Sequence, residues 1–111
     1  MATLVGGFLV PHVPLIAANP DAAPPEKRRV VLGAFATMTR RLRELQVDTV
    51  VIVGDDHYTL FGPQCLPRCL IGVGEVDGPV EPWLNIPRRS IPNDTRLADH
   101  ILNVGMTHDV D

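Results

Sequence analysis

Residues 49–61 read TVVIVGDDHYTLF, and this stretch decides how the rest of the chain is read. Val50 to Val53 are apolar at every position, where a strand with one wet face would alternate. Such a run is the mark of a central parallel strand covered on both faces. Gly54 ends it, and Asp55, Asp56 and His57 follow at once. In open α/β sheets that edge, beyond the carboxyl ends of the strands, is where ligands bind. Residues 3–10 (TLVGGFLV) form a second apolar run that ends in the same way, at Pro11 and His12. Gly6-Gly7 inside it points to a bulge or to close approach by another backbone.

Between the two runs lies a helix signal. Pro24 and Pro25 suit a first turn, where the missing amides cost nothing. Val30, Val31, Ala34, Phe35, Met38, Leu42 and Leu45 then recur at three- and four-residue steps, predicting an amphipathic helix over 25–45. Its arginines read as a solvated face. Strand, helix and strand with short joints make a right-handed βαβ unit. The expected fold is α/β: a mostly parallel, βαβ-based sheet with flanking helices, forming one domain over 1–111 as part of a larger α/β unit.

Residues 15–23 read as a loop with a turn at Asn19-Pro20-Asp21, and Gly62-Pro63 as another turn. A third strand is expected over 69–73. Pro79, Pro82, Pro87 and Pro92 argue against regular structure over 78–92. A loop of that length is a lid, a partner-facing arm or a plain exposed meander, and Trp83 would serve either of the first two. Asn93 or Asp94 caps a last helix over 95–103, with Leu97, Ile101 and Leu102 facing the core and Gly105 as its stop.

Composition excludes several classes. A net charge of −3 offers no electrostatic footprint for nucleic acid or for an anionic membrane surface. No segment has the roughly 20 apolar residues that span a bilayer, and Met1-Ala-Thr-Leu-Val shows neither a basic n-region nor a small-residue cleavage site, so no signal peptide is expected. The cytoplasm is the expected compartment. Cys65 and Cys69 are too few for a disulfide scaffold and miss the spacing of zinc knuckles, so two reduced thiols are expected.

The chemistry therefore rests on His12 and His57. Each follows an apolar run, and His12 stands on stiff backbone between Pro11 and Pro14. Neutral imidazole is the commonest ligand for first-row metals. A carboxylate would complete a two-histidine, one-carboxylate site, and Asp55, Asp56 and Glu75 are the local candidates. Neighbours on extended backbone point oppositely, so Asp56 suits orienting an imidazole or capping the turn better than binding beside His57. The residue pattern alone leaves a metal-binding enzyme, a non-catalytic metal-binding or interaction module, and a plain α/β domain all open.

Four segments resemble one family in order and spacing: residues 6–14 (GGFLVPHVP), Asp55-Asp56-His57-Tyr58 with Phe61, residues 69–74 (CLIGVG), and 93–102 ending in Ala98-Asp99-His100-Ile101. The chain is similar to the amino-terminal portion of the class III extradiol ring-cleavage dioxygenases. These include protocatechuate 4,5-dioxygenase catalytic subunits, gallate dioxygenases and 2,3-dihydroxyphenylpropionate dioxygenases. The resemblance implies that His12 and His57 are ligands of Fe(II), with Tyr58 in the substrate pocket. It implies a catecholic substrate held through its two hydroxyls, O2 as co-substrate, ring opening beside the diol, and a possible second subunit or homo-oligomer. That family's third ligand, a glutamate, and its acid–base histidine lie further downstream than residue 111. No catalytic acid–base residue is therefore expected here, and the chain is expected to be the amino-terminal fragment of a longer domain, inactive alone. His100 and His108 are expected to be structural or exposed.

Overall fold

The structure is a computed structural model, and it describes residues 2–55, 57 and 61–108. Its elements make a mixed α/β chain. Helix α1 spans Leu15–Ala18, α2 Pro25–Glu44 and α3 Thr95–Thr107, and two short strands, β1 at Val76–Gly78 and β2 at Arg89–Ile91, pair with each other. The residues divide into two compact units, Met1–Ile52 with Glu81–Ile86, and Val53–Val80 with Pro87–Asp111.

The first unit is built on α2, which starts at Pro25 as its sequence predicts. Val31, Phe35, Met38, Leu42 and Leu45 are half-buried along one stripe, whereas Val30 and Ala34 of the expected stripe are exposed. Glu44 receives hydrogen bonds from Arg40 and Arg41 at 3.1 and 3.2 Å on the wet face. Such exposed pairs add little stability.

The helix ends in a Schellman motif. Gln46 takes the left-handed conformation (φ 51°), its amide donates to the Arg43 carbonyl at 3.0 Å, and Val47 donates to Leu42 at 3.1 Å. Glycine usually holds this position because it has no Cβ to clash. Residues 15–23 are more regular than a loop: α1 is followed by a 3-10 turn at Pro20–Ala22. Arg28, in the first turns of α2, pairs with Asp21 of that turn.

The second unit holds a hairpin in which Val76 faces Ile91, Asp77 faces Ser90 and Gly78 faces Arg89, antiparallel. Arg88 donates through Nε and Nη2 to one oxygen of Asp77, at 3.1 and 2.5 Å. The Ser90 hydroxyl donates to Glu75 at 3.2 Å. Asp94 caps α3 by accepting from the Leu97 amide at 3.1 Å. Asn93 donates to the carbonyls of both Gly72 and Gly74, at 2.7 and 2.9 Å.

Several expectations need correction. Among the described residues, 3–10, 49–53 and 69–73 carry no strand, and the only sheet is the antiparallel β1–β2 pair, so the parallel βαβ sheet is not observed. Ile52 and Val53 are 87% and 93% exposed, against the expectation of burial on two faces. Two-face burial needs a layer on each side, and the first unit offers one long helix with a half-buried stripe.

Gly6 faces the Leu45 side chain, whose Cδ1 would lie 3.9 Å from an added Cβ, and no backbone crowds it. The prolines of 78–92 flank short elements without forbidding them, since β2 fits between Pro87 and Pro92. Helix α3 runs past Gly105 to Thr107 because no glycine adopts the positive φ of a helix stop. Ala98 is its buried residue, Leu97 is half-buried, and Ile101 and Leu102 are slightly over one-third exposed. No helix among the described residues is long and apolar enough to cross a membrane.

Two outcomes are expected. Gln46→Gly relieves the left-handed strain and should raise stability by roughly 0.5–1 kcal/mol, read as a higher urea midpoint at unchanged slope. The Arg88 hydrogen bonds, opposed in part by desolvation and helped by a smaller charge attraction, hold the Asp77 carboxyl below its usual range. Its contribution to the hairpin is therefore present above the ordinary carboxylate range and lost as the pH falls through the lowered value. Amide exchange at β1 should show that acid-side loss, and Asp77→Asn should abolish it.

Candidate metal centre

The first unit presents His12 immediately before a hydrogen-bonded turn. The Ile16 amide donates to the Val13 carbonyl at 3.2 Å, and the Ala17 and Ala18 amides both donate to Pro14 at 3.0 Å. Chain order explains why the turn begins there. Pro14 has no amide to lose and a fixed φ (−63°) suited to the N-cap position it occupies. His12 itself is exposed.

The second unit places Asp55 beside His57. Oδ2 of Asp55 lies 3.8 Å from Nε2 of His57, with the two side chains 72% and 64% exposed. This pairing singles out Asp55 from Glu75, the other carboxylate that the sequence left open as a ligand. Glu75 instead accepts from Ser90 in the hairpin. Asp56, expected to orient an imidazole, and Tyr58, expected in a substrate pocket, lie outside the described residues.

The 3.8 Å separation has a chemical meaning. It is too long for a hydrogen bond. Two N or O donors that each sit about 2.1 Å from one divalent ion can be up to about 4.2 Å apart. The Asp55–His57 gap is within the reach of two ligands on one cation. An imidazole and a carboxylate also form a donor set suited to divalent first-row metals. His100 and His108 are both exposed, and Cys65 and Cys69 are free thiols at the surface.

The sequence profile described as the catalytic LigB subunit of aromatic ring-opening dioxygenase matches residues 6–111. The chain belongs to this family. No curated protein and no solved structure matches it.

An ion held between Asp55 and His57 would make the carboxylate charge matter. Asp55→Asn keeps the size and removes the charge, and should lower Co(II) affinity by about 10–100-fold in a spectroscopic titration. Asp99→Asn, an exposed carboxylate on α3, should leave it unchanged.

Proposed function

We propose that this chain supplies the metal-binding amino-terminal part of an Fe(II)-dependent extradiol dioxygenase that opens the ring of a catecholic acid. The observation that carries the reading is the Asp55–His57 pair at cation spacing, in a chain whose family is that of a ring-opening dioxygenase subunit. In this proposal His12 and His57 are the histidine ligands. Asp55 completes the local donor set, or orients His57 until a ligand from later in the longer protein takes its place.

Each of these residues has a defined task. His57 would offer an imidazole nitrogen to an ion, and Asp55, two residues before it, would place negative charge beside that nitrogen. His12 arrives on the stiff segment between Pro11 and Pro14, so its imidazole would be aimed by backbone and not by a long flexible stem. Iron bound there would template the diol and O2 side by side and carry electron density from ring to oxygen. No group of this chain is assigned the acid–base role.

The finer parts of the reading are proposals of the same kind. The parallel βαβ sheet of the complete domain rests on the apolar runs, Asp56 as an orienting group on its place next to His57, and a cytoplasmic location on the sequence pattern, whereas Tyr58 in the substrate pocket and a second subunit rest on the resemblance. The resemblance also supports the chain being one domain's amino-terminal portion, with a glutamate ligand and an acid–base histidine supplied downstream.

The test has two stages. Anaerobic Fe(II) titration should show binding to the chain, weakened at least about tenfold by His12→Ala or His57→Ala. The protein read to the end of its gene should then consume O2 with protocatechuate or gallate and give a yellow ring-fission product. Metal binding without O2 uptake across a panel of catechols would favour a non-catalytic metal-binding module. Absence of metal binding would leave a plain α/β domain.

A further inference from the structure

The connection between β1 and β2 does not stay with its hairpin. Its tip, Glu81–Ile86, belongs by its contacts to the first unit, where the 3-10 turn at Pro82–Leu84 packs on α1. Ile16, Ala17 and Ala18 of α1 and Leu84 of the tip are half-buried. Asn85 closes the tip in the left-handed conformation (φ 55°, ψ 25°), its amide donating to the Pro82 carbonyl at 3.3 Å. Its side-chain Nδ2 reaches the carbonyl of Ala18, the last residue of α1, at 3.5 Å. Asparagine suits both tasks, because it tolerates left-handed backbone and carries a short amide donor.

Helix α1 needs such a tie. It has four residues, far too few to hold a helix unaided. Its first hydrogen bonds close on Val13 and Pro14, the two residues after His12. Whatever fixes α1 therefore fixes the backbone from which the His12 imidazole projects.

We propose that the 81–86 arm is a clamp on the His12 limb, and that Asn85 is a positioning residue which holds His12 in its metal-binding direction. The clamp rests on the arm and α1 alone; its consequence for the metal rests on the iron reading above. A metal ion binds only the fraction of molecules whose limb is correctly set, so a released limb lowers apparent affinity by that fraction.

Two substitutions separate side chain from backbone. Asn85→Gly and Asn85→Asp both tolerate the left-handed conformation, and both remove the amide donor to Ala18. In the purified chain, both should speed amide exchange at Ala17, Ala18 and Asn19 by about two- to tenfold, the weight of one hydrogen bond. Exchange in α3 should not change. Trp83, the single tryptophan of the chain, sits on the tip and reports its release as greater acrylamide quenching.

The ring resonances of His12 should shift or broaden while those of His100 and His108 stay in place. Co(II) affinity should fall by about the same two- to tenfold. Unchanged exchange at 17–19, or equal acceleration in α3, overturns the clamp. Faster exchange with unmoved His12 resonances overturns the positioning role. If wild-type chain binds no Co(II) while the His12 resonances respond as stated, the clamp stands and the iron reading fails.

Discussion

Two asparagine carboxamides do in this chain what ladder hydrogen bonds do in a sheet. Asn93 donates to the carbonyls of Gly72 and Gly74, and Asn85 donates to that of Ala18. Among the described residues, the apolar runs over 3–10, 49–53 and 69–73 have no strand neighbours to take up their backbone groups. A side-chain amide has two donors on a short stem, so one residue can bridge two carbonyls or join segments far apart in sequence. Asn93 thereby fixes the run before β1 against the start of α3. Asn85 fixes the tip of the same hairpin's connection against the turn after His12.

What could be read from sequence follows the range of the interactions involved. Helix α2 was legible because its signals are local: Pro24-Pro25 at the start, and Val31, Phe35, Met38, Leu42 and Leu45 at helical spacing. The Asp94 cap was legible for the same reason. Gly105 misled because glycine stops a helix only when it takes positive φ, and here α3 passes through it. Strands β1 and β2 have three residues each, too few to show a period, and their pairing joins Val76 to Ile91 across a stretch dense in proline. The runs over 3–10 and 49–53 have strand composition, but a strand exists only with a neighbour and a cover, and neither is a property of the run itself.

The candidate site divides along the same line. Asp55 and His57 are two residues apart, and the sequence could list Asp55 and set Asp56 aside as an orienting group while leaving Asp55 level with Glu75. Glu75 instead accepts from Ser90, a partner fifteen residues away that no local pattern announces. His12 could be singled out by its flanking prolines, whereas Asn85 gave no signal. A turn asparagine after Pro-Trp-Leu reads as punctuation until its amide is seen on Ala18.

This division bears on how a metal would be held. Asp55 and His57 come as a pair fixed by one short segment, and both are well exposed, so water screens their charge and competes for the ion. A pair of that kind holds a cation weakly. In the proposed centre the third donor, His12, arrives on a separate limb, and its gain depends on effective concentration, which falls as the limb is freed. A four-residue helix after two prolines cannot set that limb by itself. The affinity of such a centre would then be governed less by the ligands than by what holds α1, and in the first unit that role falls to the arm carrying Asn85.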